Sequence, residues 1–256
     1  MELGLSDKSV LITGGSRGIG LAVAQVFASE GCDVHIAGRS KDDLEAAAEK
    51  IGGKVQRHVG DLRIAGDLSQ LARACADVDI LVNNAGATPT GRIDEVSTDD
   101  WREGLELKVI ATVSLTRAIY AHMCKRGRGV IINVIGNCGE RPDPDIIIAT
   151  VTNTGMMGFT KALGSVSPAH GVRVVGVNPG PTATERLVNI MRDKARDRTG
   201  DADNWRDLLK PLPFARASEP EEQAAMIAFA ASDRCAYVSG TILTVDGGIA
   251  NRGHIF

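Results

Sequence analysis

The stretch SVLITGGSRGIGLAVAQVFASEG, residues 9–31, decides the fold. Its first part, SVLITG (9–14), is a short apolar run of the length expected for a buried strand. Its last part, IGLAVAQVFASEG (19–31), carries apolar residues at helical spacing and stops at Gly31. Between them lies TGGSRGIG (13–20). Glycines there let the chain turn tightly and bring backbone N–H groups close to a phosphate. The positive end of the helix dipole faces the same point. A strand before, a helix after and a second strand, DVHIAG (33–38), turn a weak glycine pattern into a dinucleotide-binding signature. The candidate phosphate-binding residues are Gly14, Ser16, Arg17, Gly18, Ile19 and Gly20.

The same rhythm continues outward. Further strands are read in KVQRHVG (54–60), DILVNNAG (79–86), GVIINVIG (129–136), VRVVGVNPG (172–180) and GTILTVDGG (240–248). Helices are read in KDDLEAAAEKI (41–51), DLSQLARACA (67–76), one long segment within 98–127, TNTGMMGFTKALGSVSP (152–168) and PEEQAAMIAFAAS (220–232). Continuous Val/Ile/Leu strands alternating with helices predict an α/β fold. The expected architecture is a Rossmann-type, doubly wound, parallel seven-stranded sheet with helices on both faces. It forms a single dinucleotide-binding domain over 1–256. The charged segment 184–217 falls outside the rhythm and reads as a lid-like insertion, anchored by Leu187, Ile190, Met191, Trp205, Leu208 and Leu209. Two solvated surface helices are the plainer reading of the same segment.

Composition excludes several function classes. A formal charge of −3 gives no electrostatic case for nucleic acid or an anionic membrane. No run of about 18 apolar residues appears, and no apolar signal segment follows Met1. Cys32, Cys75, Cys124, Cys138 and Cys235 are dispersed without a C-x-x-C spacing, which predicts no metal, no disulfide framework and a cytoplasmic setting. His35 and His58 fall on strands, His122 and His170 near helix ends, and all four read as structural. His254 stands in the C-terminal tail.

The spacing T-G-x-x-x-G-x-G at 13–20, NNAG at 83–86 and NPGPTAT at 178–184 resemble the short-chain dehydrogenase/reductase family in its form of about 250 residues. The C-terminal third, through "YVSGTILTVDGG" (237–248), resembles it too, so the likeness spans nearly the whole chain. The resemblance implies that Asp61 and Leu62 hold the adenine. Asn84, Ala85 and Gly86 then line the cofactor's path, and the loop with Pro179, Gly180, Thr182 and Thr184 holds the nicotinamide end. It also implies a small-molecule substrate and a homotetramer, with a hetero-oligomer containing an intact relative as the alternative. An acid at the end of the second strand would select NAD. This chain has Gly38, Arg39 and Ser40 there, and Arg39 with Arg17 supplies two cations for a 2′-phosphate. The cofactor is therefore read as NADP(H), and solvated surface arginines are the competing reading.

The resemblance also implies a catalytic serine, a Tyr-x-x-x-Lys pair and an asparagine. GFTKAL (158–163) fixes the frame of the helix, and IINV (131–134) gives the same frame from the other side. Gly136 then occupies the serine position, Ala149 the tyrosine, Asn153 the lysine and Lys108 the asparagine. Lysine and asparagine have exchanged places. Lys108 is expected to reach into the space of the missing lysine and bond Asn153 or the nicotinamide ribose. The loop 136–145 offers Asn137, Cys138, Glu140, Arg141, Asp143 and Asp145 as other candidates for proton transfer, each of which also reads as an ordinary loop or packing residue. Three functions stay open. One is an NADP(H)-dependent oxidoreductase with a non-standard active site, acting on an imine, iminium or conjugated substrate. Another is a non-catalytic NADP(H)-binding subunit or redox sensor. The third is a non-redox lyase or hydrolase on the same fold.

Overall fold

A computed structural model describes residues 2–252; His254 lies outside them. Seven strands form one parallel sheet: β1 Ser9–Thr13, β2 Asp33–Gly38, β3 Val55–Val59, β4 Ile80–Asn83, β5 Gly129–Val134, β6 Val172–Pro179 and β7 Thr241–Val245. Their order is β3-β2-β1-β4-β5-β6-β7, so the winding reverses between β1 and β4. A crevice opens at the carboxyl ends of the strands at such a switch point.

The eight helices named here are α1 Gly18–Ser29, α2 Lys41–Ile51, α3 Ala65–Ala74, α4 Thr98–Leu105, α5 Thr112–Arg126, α6 Ile147–Val166, α7 Glu185–Thr199 and α8 Pro220–Ala231. Strand residues alternate between the sheet's two faces. Val10 and Ile12 pack with Phe27 of α1 and Ile227 of α8, while Leu11 packs with Leu115, Ile119 and Met123 of α5. Both faces are covered, which is why β1 is apolar at consecutive positions. The two-sided core also contains polar bonds: Asn83 donates to Thr116 Oγ1 and Asn133 Oδ1 (both 2.9 Å), and Asn133 donates to Thr160 Oγ1 (2.9 Å). These bonds tie β4 and β5 to α5 and α6 beneath the crevice.

Two sequence expectations change. The long helix over 98–127 is interrupted by a π-helical turn, Glu106–Ala111, between α4 and α5. Lys108 stands within that wider turn, and single π turns are frequent at functional sites. In the 184–217 segment, Leu187, Met191, Ala195, Trp205, Leu208, Leu209 and Ala217 make a small apolar cluster of their own. Ile190 does not join it and is 38% exposed. Leu187, Met191 and Ala195 repeat every four residues along one face of α7, and Ile190 points off that face.

Candidate active site

The crevice has a volume of about 480 Å³ and runs from the glycine turn to Lys108. Gly14, Arg17, Gly18, Ile19, Asn84, Ala85, Gly86, Lys108, Gly136, Pro179 and Thr184 line it. Of the sequence candidates, Ser16, Gly20, Arg39, Ser40, Asp61, Leu62, Gly180, Thr182, Ala149 and Asn153 are not on that wall.

At the turn, the backbone has the shape that glycine permits. Gly14 has φ 65°, and a Cβ on it would stand 3.1 Å from Asn84 Nδ2 and Ala85 Cα. A Cβ on Gly20 would run into the carbonyl oxygen of Gly14. The turn is held from the next strand over. Asn84 Nδ2 donates to the carbonyls of Thr13 (3.1 Å) and Gly14 (3.2 Å). Thr13 Oγ1 accepts the N–H groups of Asn84 and Ala85 (both 3.0 Å). Sequence reasoning did not single out Thr13, although it is the first residue of the glycine stretch. The N-terminus of α1 has no side-chain cap and no acid in its first turn. Its orphan N–H groups face the crevice with no acid in the helix's own first turn, though Glu185 and Arg186 also line the crevice, so the residues of the turn fit a bound pyrophosphate.

The residues expected at the adenine are engaged with other groups. Asp61 is clamped by Arg63, whose Nη2 lies 2.6 Å from Asp61 Oδ2 and whose Nε donates to both carboxylate oxygens at 3.0 and 3.1 Å. The Arg63 bonds hold the Asp61 carboxyl below its usual range. Leu62 lines a separate cavity with His58. Ser40 caps α2, its side chain accepting from Asp43 N at 3.2 Å. The two arginines differ. Arg17 is paired with Asp43 at 2.6 Å, whereas Arg39 is exposed and has no ion-pair partner among the described residues.

Pro179 and Thr184 reach the crevice, but Gly180 and Thr182 serve packing. A Cβ on Gly180 would stand 2.7 Å from Asp246 Cβ. Thr182 is buried and its hydroxyl bonds the Gly180 carbonyl (3.0 Å) and the Ser218 hydroxyl (3.1 Å). Thr184 caps α7, and its methyl lies 3.0 Å from where a Cβ on Gly18 would stand. The start of the 184–217 segment therefore closes against the phosphate turn.

At the other end, Lys108 is buried, with 8% of its surface exposed. Its Nζ donates to the carbonyls of Val134 (3.0 Å) and Ile135 (2.9 Å) at the end of β5. It has no carboxylate partner within ion-pair distance among the described residues. Burial pulls its pKa down to about 8, only partly opposed by Cys138. The expected bond from Lys108 to Asn153 is absent. Asn153 Nδ2 instead donates to Cys138 Sγ (2.9 Å), and Asn153 Oδ1 is buried with no partner. The reason is reach: from the π turn, Lys108 extends to the β5 carbonyls, while Asn153 is too short to leave the Cys138 contact. Burial raises the Cys138 thiol, against the opposing pull of Asn153 and Lys108.

Gly136 has φ 140°, outside the range open to side-chain-bearing residues, and its missing Cβ would stand 2.6 Å from Asn153 Nδ2. Ala149 is half-buried in the first turn of α6 and presents only a methyl group. The loop after β5 is tied down elsewhere. Glu140 accepts from Asn178 Nδ2 (3.1 Å) and Thr244 Oγ1 (2.9 Å), and Asn137 donates to Asp246 (3.1 Å). Arg141 reaches the Ile249 carbonyl at 3.5 Å, Asp145 pairs with Arg92 at 3.5 Å, and Asp143 Oδ1 accepts from Asp145 N. None of these loop side chains lines the crevice.

Residues 8–195 match the family model described as short chain dehydrogenase. The chain belongs to the short-chain dehydrogenase family. It is 32% identical to gluconate 5-dehydrogenase of Gluconobacter oxydans (strain 621H), over 96% of this chain and 95% of that one. Its structure is similar to L-sorbose reductase from Gluconobacter frateurii, solved with NADPH and L-sorbose. That match has a TM-score of 0.92, 32% identity and coverage of 98% and 100% of the two chains. A putative NAD(P)-dependent gluconate 5-dehydrogenase from Beutenbergia cavernae, solved with NADP, gives a TM-score of 0.87 at 29% identity, again covering 98% and 100%. Membership places this short-chain dehydrogenase among oxidoreductases and agrees with the parallel sheet and the switch-point crevice. No helix among its described residues is long and apolar enough to cross a membrane.

Proposed function

We propose that the chain is an NADP(H)-dependent oxidoreductase in which the Lys108 ammonium stabilises charge developing on the substrate oxygen, in place of the proton given by the family's tyrosine. The observation that carries this reading is the buried Lys108 ammonium on the crevice wall, bonded to two carbonyls and lacking a counter-charge. The cofactor assignment is supported by the uncapped α1 terminus, by the unpaired Arg39 and by relatives solved with NADPH and NADP. Bound NADPH would supply a hydride.

Lys108 supplies the rest. Its Nζ uses two protons on the Val134 and Ile135 carbonyls, and an ammonium carries three. The third is available to an oxygen that gains negative charge in the transition state. This electrostatic sign narrows the substrate. A cationic iminium is repelled by a buried ammonium. A conjugated carbonyl suits it: hydride arrives at the β-carbon, charge develops on the enolate oxygen, and Lys108 stabilises it while the α-carbon takes a proton from water. A simple ketone instead yields a strongly basic alkoxide that needs full protonation as it forms; Ala149 offers no acid, and in this reading Lys108 keeps its proton and acts only by its charge.

Supporting segments have assigned roles in this reading. The 184–217 insertion acts as the lid, since Thr184 already abuts Gly18. The chain works in the cytoplasm as a homotetramer. The test is NADPH fluorescence titration followed by NADPH oxidation with a panel of enones and ketones. Micromolar NADPH binding with enone turnover is expected. Tight binding without any turnover would favour the non-catalytic subunit or sensor instead.

A further inference from the structure

β2, β3 and α3 meet at a side-chain cluster outside the crevice. His35 lies in β2, His58 in β3, and Cys75 directly follows α3. The sequence reading assigned no metal, because the cysteines show no C-x-x-C spacing and His35 and His58 read as structural strand residues. Parallel pairing puts Ala37 opposite His58, so His35 and His58 lie on the same face of neighbouring strands. Their imidazoles are parallel, within 4°, with centroids 5.2 Å apart. His35 Nδ1 and His58 Nε2 are 3.0 Å apart, and Cys75 Sγ lies 3.6 Å from the first and 3.5 Å from the second.

That triangle has the dimensions of a coordination sphere. Tetrahedral zinc with Zn–N of about 2.0–2.1 Å and Zn–S of about 2.3 Å sets its ligand atoms about 3.3–3.6 Å apart. Closing the site needs the ligand atoms to part by a few tenths of an ångström and the two imidazoles, now aimed at each other, to turn toward a shared ion. Behind His35, Asp33 Oδ2 stands 3.8 Å from Nε2. A carboxylate on the far nitrogen is the usual outer partner of a metal-bound imidazole. Beside His58 lies a cavity of about 290 Å³, lined also by Leu62, Asp67 and Gln70, with room for water.

We propose that His35 Nδ1, His58 Nε2 and Cys75 Sγ form a binding site for a borderline divalent transition-metal ion, zinc(II) by preference, whose fourth ligand is water from the adjoining cavity. One thiolate and two neutral imidazoles are the donor set that suits zinc over calcium or magnesium. Burial lowers both imidazoles, so they are neutral and ready to ligate at pH 7. Burial raises the Cys75 thiol to about 12, so it arrives protonated. Binding therefore forms the Cys75 S–metal bond and breaks its S–H bond, releasing one proton to solvent per ion. The ion cross-links the exposed edge strand β3 to β2 and α3. It stabilises the fold by mass action, because the unfolded chain holds no such site.

The test uses the metal-free full chain. Cobalt(II) is expected to bind one equivalent with the intense visible bands of a tetrahedral site and a thiolate-to-metal charge-transfer band. Zinc is expected to displace it, and calorimetry in buffers of different ionisation enthalpy should show one proton released. Cys75→Ser should abolish the charge-transfer band. His58→Gln, on the edge strand where folding is least at risk, should weaken zinc by at least about a hundredfold, and Asp33→Asn by about 10–100-fold. Cys124→Ser should change nothing. A cobalt spectrum without the thiolate band, or zinc affinity indifferent to both Cys75→Ser and His58→Gln, would overturn the proposal.

Discussion

At the phosphate end of the crevice, polar groups are held by other polar groups. Thr13, Asn84 and the glycine turn bond one another, and Gly14 and Gly20 leave no room for a side chain. At the β5–α6 end, the polar groups are left short of partners. Lys108 is buried without a counter-charge, Asn153 Oδ1 has no donor, and Gly136 adopts a backbone shape reserved for glycine. At the first end the turn and its side chains are paired before any ligand arrives, and only the N–H groups at the start of α1 are left open. The second carries free-energy costs at Lys108 and at Asn153 Oδ1. Native structures satisfy nearly all buried polar groups, so an unpartnered Asn153 Oδ1 close to a buried ammonium without counter-charge is a place to look for function.

The largest effect expected from this contrast is on chemistry. With an active substrate, Lys108→Met should lower turnover by about 10²–10⁴-fold, or roughly 3–5.5 kcal/mol. The wild-type rate should fall as pH rises through about 8, where Lys108 loses its proton. The variant's small residual rate should lack that fall. Rate measurement across pH checks both.

The same lysine predicts a stability difference in the cofactor-free protein. Its folded pKa of about 8 lies below the unfolded value of 10.5, so the unfolded state binds the proton more tightly. Below about 8, lysine is charged in both states and the burial cost is present in full. Between about 8 and 10.5, the folded protein gives up the proton first and the cost is relieved. Wild-type stability relative to Lys108→Met should therefore rise with pH across that window, by about 3 kcal/mol in total. Denaturant melts of both proteins at several pH values test it; a constant difference would mean that Lys108 is not buried as a cation.

Much of this was legible in the sequence, for a physical reason. Strand, turn and helix around 13–20 are local patterns, and a two-sided sheet repeats them until the order of elements implies the fold. The catalytic-end geometry was not legible. That Lys108 turns to the β5 carbonyls and not to Asn153 depends on a π turn, which no spacing of apolar residues encodes. That a side chain at Gly136 would meet Asn153 depends on a contact between residues distant in sequence. The His35–His58–Cys75 cluster was hidden because strand register, not sequence distance, brings it together.

A smaller effect sharpens the contrast at Gly136. Gly136→Ser should cost about 1–3 kcal/mol of stability through backbone strain. Added to Asn153→Ala, it should cost less than the sum of the single changes, because the side-chain clash is gone. Thermal or denaturant melts of the four proteins give the cycle. At the finished end, Arg39→Ala should erase about tenfold of the preference for NADPH over NADH, or about 1.4 kcal/mol. Arg17→Ala should do less, because Arg17 is already engaged with Asp43. Equal binding of both cofactors by the parent protein would sink the arginine assignment.

The central claim is that a cofactor-binding turn has been kept beside a site where a buried ammonium stands in for the family's proton donor. It is tested most directly by a matched pair of substrates, an enone and the saturated ketone of the same skeleton, each followed by NADPH oxidation at equal concentration. The account predicts enone reduction at least about a hundredfold faster than ketone reduction, the lower bound of what a lost general acid costs. Equal rates for the pair, or no oxidation with either while NADPH binds tightly, would contradict it.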